Sequence, residues 1–380
     1  MGQKKLAIIL FIVSIGILFL AHRFAAIWRA GNMRPLIVAH AQGGGTTIFL
    51  PSIMNYPTVT TSHYWKISNP DFNPYTLGQA DAQVHLPIIQ YGNRIIFLIS
   101  LGQPCQTGGV YGSYSYDQYN NCHSTGEFLT HIQNFLDGYC AMMQSIRPGA
   151  SGQNCGYRYN PSAVPVIFAF GPNNCGSLHC DPNNPPNTVT YANGQAWGTL
   201  IENVNSYVVT QGYSYQIFVA GAMDIEGGYN TYANTRAWLN GFINTAPYRP
   251  FYNYGNCDCP DTYNPNGSFR YDWSYSKTYE VSFSIGFLGD VIPEIYHTNG
   301  VDATRWQGVS KWAVNNGHGM AIFRQLLTEC GACAQTYNCN GIDDVPMNAF
   351  DQLQKALNAD PQTTGGLSTD FRLTDIKYYP

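Results

Sequence analysis

The feature that most constrains this chain is a repeated alternation of short apolar runs with helix-length amphipathic stretches, punctuated by Gly, Pro and Asn. Arg94 to Leu101 (R-I-I-F-L-I-S-L) has the continuous apolar pattern of a strand buried on both faces and ends at Gly102-Gln103-Pro104. A long Gly/Tyr/Ser/Asn loop follows, then a predicted helix from Glu127 to Ile146. Ser124 or Thr125 can cap that helix, Phe128, Ile132, Phe135 and Tyr139 share a face, and Pro148-Gly149 stops it. The unit then recurs. Strands are predicted at Val164 to Phe170, Gln216 to Met223, Pro250 to Tyr254, Asp290 to Tyr296 and Met320 to Leu326. Helices are predicted at Gly194 to Val209, Tyr232 to Asn244, weakly within 272–287, at Thr304 to Asn315, and at Met347 to Leu357 as the closing element. Strands alternating with helices imply parallel β/α units. About six or seven strands follow residue 90, and a first one is expected within 35–90. A total near eight favours a (β/α)8 TIM-like barrel with long loops over an open doubly wound sheet.

The N-terminus reads as an export signal. Lys4 and Lys5 precede an apolar run from Leu6 to Ala21, and Ala39-His40-Ala41 has the form of a cleavage site before Gln42. Residues 1–41 are therefore expected to be a signal peptide or an uncleaved membrane anchor helix, with 6–21 as its apolar segment. Residues 42–380 are expected to form the barrel domain of a secreted or extracellular membrane-anchored protein. The 11 cysteines cluster mainly in loops, which suits disulfides in an oxidising compartment. Cys330-Gly-Ala-Cys333 has zinc-knuckle spacing, but no second C-x-x-C or His pair completes a site. The odd count leaves at least one thiol free or shared with another chain.

Charged residues make up only 11% of the chain, against about 25% in ordinary soluble proteins. Polarity comes instead from Asn, Gln, Ser, Thr, Gly and 28 Tyr, a mixture suited to neutral ligands such as sugars. The net charge of −4, without a Lys/Arg cluster, argues against a nucleic-acid partner. No G-x-G-x-x-G or P-loop opens a helix, Ser100 and Ser177 lack the G-x-S-x-G elbow, and His297 and His318 are isolated. No cofactor and no metal are expected.

Functional groups of β/α barrels sit where strands run out into loops at the C-terminal face. Asp224 and Glu226 end the Gln216 to Met223 strand. As an i, i+2 pair they point the same way, above the small Ala220 and Ala222. Glu294 ends another strand with Tyr296 beside it. Asp258 and Asp261 follow Pro250 to Tyr254, and Arg324 and Glu329 follow the last strand. Glycoside hydrolysis needs one carboxyl kept protonated to serve the leaving oxygen, and a second, ionised one. Neighbouring carboxylates oppose each other's ionisation, which creates the acid. Glu226, with the longer side chain, is expected to be that acid, Asp224 its helper, and Glu294 the second carboxylate. Tyr252, Tyr254, Tyr296 and Trp306 are candidates to stack on sugar rings. The other readings are that Glu294 is a structural ion-pair partner of Arg324 or Arg305, and that the barrel binds glycan or assembles at the cell surface without turnover.

At A-G-A-M-D-I-E-G-G-Y (220–229), F-Y-N-Y-G (251–255) and D-V-I-P-E-I-Y (290–296), the chain resembles glycoside-hydrolase-like barrels. It is similar over about residues 160–330 to the family-25 muramidases and to poorly characterised bacterial barrel relatives. The resemblance implies a barrel acting on a polysaccharide or peptidoglycan, with the acid and its acidic helper at an Asp-x-Glu, here Asp224 and Glu226. That family also has an Asp on an early strand, a place that Asp71 and Asp81 fit poorly.

Overall fold

The computed structural model describes residues 38–39, 48–49, 57, 59–90, 95–116, 121–146, 155, 166–174, 188–227, 230–259, 273–284, 289–336, 339 and 341–379. Two units divide at residue 57. In the first, Val38–Ala39 pairs antiparallel with Ile48–Phe49. The second, Thr58 to Pro380, holds everything described below. The predicted apolar segment 6–21, Asp261, and the Cys175 and Cys180 positions lie outside the described residues. Among the described residues no helix is long and apolar enough to cross a membrane.

The second unit runs through β1 (Val59–Trp65), α1 (Pro74–Gln90), β2 (Ile95–Ser100), α2 (Thr125–Ile146), β3 (Val166–Gly171), α3 (Tyr191–Thr210), β4 (Ile217–Met223) and α4 (Tyr232–Thr245). It continues through β5 (Phe251–Asn253), α5 (Tyr275–Phe283), β6 (Gly289–Val291), α6 (Val301–Asn315), β7 (Phe323–Thr328), α7 (Cys330–Thr336), α8 (Pro346–Asn358) and β8 (Leu367–Tyr379). The eight strands lie in the order β6-β5-β4-β3-β2-β1-β8-β7, and every neighbouring pair is parallel. A parallel bridge between Glu294 and Leu327 joins the two edges. There Ile295 N–H donates to the Leu327 carbonyl at 2.9 Å, and Leu327 N–H to that of Pro293 at 3.0 Å. The chain is thus an α/β protein with a nearly closed, TIM-like barrel.

The predicted alternation is recognisable in these elements, and three departures have physical causes. The expected strand Asp290 to Tyr296 is split. Pro293, which has no N–H to give, separates β6 from the Glu294 bridge. The helix expected to close the fold, α8, is followed by a thirteen-residue strand, β8. Asp370, Arg372, Asp375 and Lys377 interrupt its apolar pattern, yet Phe371, Leu373 and Ile376 are buried. Within the expected β2–α2 loop, Gln103–Thr107, Val110–Tyr114 and Cys122–Ser124 form a small antiparallel sheet.

Strand alternation separates an inner core from outer ones. Ile96, Leu98, Ile167, Ala169, Ala220, Ala222, Tyr254, Ile292 and Ile376 fill the barrel. Their neighbours along the strands, such as Phe97, Phe168 and Val219, face the helices. Helix α2 begins with a capping box. Ser124 Oγ accepts from Glu127 N–H at 3.1 Å, while the Glu127 carboxylate accepts from Ser124 N–H at 2.7 Å. Its face of Phe128, Ile132, Phe135 and Tyr139 is fully buried, so truncating Phe135 to Ala would cost about 3–5 kcal/mol. Helices α1 and α2 touch backbone to backbone. A Cβ on Gly78 would lie 2.0 Å from the Phe135 carbonyl oxygen, and one on Gly138 1.9 Å from that of Tyr75.

Cysteine pairing accords with the disulfide reading. Cys105 pairs with Cys122, Cys140 with Cys155, Cys257 with Cys259 and Cys333 with Cys339. Among the described residues Cys330 is the free thiol, so the C-x-x-C is divided between a bridge and a thiol.

Candidate active site

The carboxyls gather at the C-terminal mouth of the barrel. Asp224 and Glu226 leave β4 over Ala220 and Ala222, which belong to the inner core as their alternation requires. Glu294 enters beside them from the bridge that closes the barrel. One oxygen from each of Asp224, Glu226 and Glu294 lies within 4.8 Å of the others. All three are buried, at 4%, 5% and 3% exposure. Among the described residues no Lys or Arg forms an ion pair with them. Arg324, near the start of β7 and far along the strand from its mouth end, pairs with Asp290 at 2.8 Å, and Arg305 with Asp302 at 3.6 Å. The ion-pair reading of Glu294 is therefore set aside.

Each acid of the trio is held differently. Glu226 accepts from the Asn174 side-chain amide at 2.6 Å and from Asn256 N–H at 3.2 Å, so both of its oxygens are engaged. The Asn174 backbone N–H favours the charge of Asp224, whose Oδ1 is buried without a partner. Glycine at 255 lets that carboxyl in: a Cβ there would lie 2.5 Å from Asp224 Oδ1. No hydrogen bond among the described residues reaches the Glu294 carboxyl.

Burial of the trio with no Lys or Arg paired to it among the described residues favours the neutral acids. Loss of water pushes Asp224 up to about 8, against the backbone bond from Asn174 and with the help of Glu329. Burial, then the charges of Asp224, Asp258 and Glu329, raise Glu226 well above the ordinary carboxylate range. Glu294 is raised by burial first and then by Glu329, Asp224 and Glu226. The trio is also the group whose oxygens could meet on one divalent cation.

The aromatic candidates divide. Tyr296 is partly exposed, and its hydroxyl accepts from the Asn256 side-chain amide at 3.0 Å. Tyr252 is buried inside the barrel at 6% exposure. Tyr254 is fully buried, and its hydroxyl donates to the Pro172 carbonyl at 2.8 Å. With that proton committed, Ser100 must donate to Tyr254 at 2.7 Å and Tyr116 to Ser100 at 2.7 Å. Trp306 requires a correction. It lies at 0% exposure on the inward face of α6, packed on Phe323 of β7, and offers no face to a ligand. The helical period that buries Ala303, Val309 and Ala313 buries it too.

Sequence reasoning named Glu329 without a role and did not name Tyr64, Asn174 or Asn256 for the site. Glu329 immediately follows β7, accepts from the Tyr64 hydroxyl, and acts on all three carboxyls of the trio. Tyr64, near the end of β1, faces the barrel interior. Asp81 lies on α1, bonded to His63 at 3.1 Å on the outer side of β1. A Tyr in an aromatic-rich strand and two loop Asn carry no signal of their own in a sequence so full of both. No protein-family model matches this chain, and no curated protein matches it.

Proposed function

We propose that this chain is an exported glycoside hydrolase-like protein that acts on a cell-wall or extracellular polysaccharide by carboxylate acid/base catalysis. The observation that carries the reading is the convergence of Asp224, Glu226 and Glu294 within 4.8 Å at the mouth, buried and without an ion-pair partner among the described residues. Such crowding keeps a carboxyl protonated at neutral pH, as a general acid must be. Glu226 takes that role because burial and the charge of Asp224 oppose its ionisation more than the Asn174 bond favours it, while the bonds from Asn174 and Asn256 hold its carboxyl in place. The proton goes to the glycosidic oxygen as the bond breaks. Asn174 and Tyr296, both partly exposed, supply neutral hydrogen-bonding groups suited to sugar hydroxyls. The paired cysteines fit export to an oxidising compartment.

A second reading, a barrel that binds glycan without turnover, is favoured by the depth of the trio at 3–5% exposure. Reducing-end release from peptidoglycan and a panel of insoluble polysaccharides, using the full chain, separates the two. The hydrolase reading expects release that survives EDTA and is lost in Glu226→Gln with an unchanged thermal melt. Full activity in that variant would overturn the assignment of the acid. Loss of activity on chelation would transfer the trio to a metal. Binding without release by the wild type would establish the second reading.

A further inference from the structure

We propose that Glu329, oriented by the Tyr64 hydroxyl, is the ionised carboxylate of the reaction, in the place that the sequence assigned to Glu294. The inference rests on the glycosidase reading and names the second working group of that site.

Glu294 and Glu329 both stand at the mouth, but their surroundings differ in what they offer a negative charge. Glu294 is 97% enclosed, at 3% exposure, with no donor among the described residues and with acids as its neighbours. An ionised carboxylate in that position would lose its water and gain no hydrogen bond in return. Glu329 is only partly buried and accepts a phenolic O–H. Charge-assisted bonds of this kind are about twice as strong as neutral ones. The bond reaches from β1 to the end of β7, past β8, which lies between those strands. Tyr64 is braced for it: its ring lies 4.5 Å from that of Tyr116 and 5.1 Å from that of Tyr378. Burial raises Glu329 above the ordinary carboxylate range and the nearby Asp375 adds to this, while the Tyr64 bond and the field of His297 oppose the rise. Asp375 is itself engaged by Thr328 Oγ1 at 2.9 Å and Gly331 N–H at 3.2 Å. Glu329 opposes the ionisation of all three trio carboxyls, none of which is among the groups that act on it, so of the four acids it is the first to take the charge and the trio keeps its protons.

In the reaction, Glu226 gives its proton to the glycosidic oxygen, and the electrons of the C1–O bond leave with that oxygen. Glu329 keeps its charge throughout and stabilises the positive sugar. Water then adds to C1 and returns a proton to Glu226, so the enzyme is restored and one water is consumed. Tyr64 is a positioning residue that acts through Glu329.

Two measurements on the full chain test this. Infrared difference spectra at pH 7, wild type minus Glu329→Gln, should show loss of a carboxylate band. The corresponding Glu294→Gln difference should show loss of a protonated-carboxyl band. The reverse pattern overturns the proposal whether or not the protein is a hydrolase. With peptidoglycan as substrate, Glu329→Gln should lower kcat about 100- to 1000-fold, the usual scale for a lost electrostatic stabiliser. Tyr64→Phe keeps the ring packing. It should lower kcat about tenfold, the scale of one modest hydrogen bond, and move the acidic limb of the kcat/KM profile to higher pH. An unmoved limb removes Tyr64 from the proposal. A hydrolytic wild type with an equally active Glu329→Gln sinks the proposal and leaves the glycosidase reading standing. If the wild type hydrolyses none of the polysaccharides, the glycosidase reading fails and Glu329 loses its catalytic role with it.

Discussion

At the end of β4, Glu226 is bonded by amides, the Asn174 side chain and the Asn256 backbone, and is enclosed with Asp224 and Glu294. At the end of β7, Glu329 is bonded by the phenol of Tyr64 and remains partly open. The two residues carry the same functional group on the same barrel face. What separates them is the number of acids crowded around each and the access of water. On the proposed reading, the barrel builds a proton donor and a charge carrier from identical side chains by varying only what surrounds each strand end.

The comparison breaks most visibly at Glu226. Replacing it with Gln should reduce hydrolysis about 100- to 10,000-fold, the range for a lost general acid, with the melt retained. Equal residual activity at all pH values would show that no proton donor works there. Asp224→Asn tests the crowding itself. The folded chain holds the Asp224 proton up to about pH 8, whereas an unfolded chain loses it near 4. The stability linked to this proton is complete below about pH 4 and is lost as pH rises through about 8. Denaturation of the wild type should therefore become easier between those limits, by up to about 1.4 kcal/mol per pH unit for one proton. Asp224→Asn should flatten that slope, and identical slopes would show that the proton is not held there. Gly255→Ala probes the fit of the segment after β5 against the same carboxyl. Its Cβ, 2.5 Å from Asp224 Oδ1 and 2.6 Å from the Ile225 carbonyl, should cost about 1–3 kcal/mol, read by denaturant midpoint. The smallest effect belongs to Asn174→Ala. Losing one amide donor should raise Glu226 further and lower activity about tenfold, while an unchanged pH profile would make that bond incidental.

Much of this was legible in the chain. The buried-strand runs at 95–100, 166–171 and 217–223, and the helices between them, followed from apolar period and punctuation alone. Asp224 and Glu226 could be read as one face of a strand end because side chains alternate. Strand β8 was not legible, because its charged residues break the apolar pattern and its place depends on pairing with β1 and β7. Trp306 was misplaced because an aromatic residue has the same letter on a sugar-binding surface and in a helix–barrel core.

The alternating β/α order, the placement of an acidic pair over small interior residues, and a composition poor in charge and rich in Cys can all be read along the chain. Those properties are local, set by periodicity and residue type within a few positions. Which acids meet depends instead on how the barrel closes. Glu294 reaches Asp224 and Glu226 because the barrel closes at its own bridge. Glu329 meets Tyr64 because β7 and β1 flank β8, although 265 residues separate the pair. Burial and neighbouring charge, which set where each proton rests, arise from contacts between residues distant in the chain and exist only once the barrel has closed.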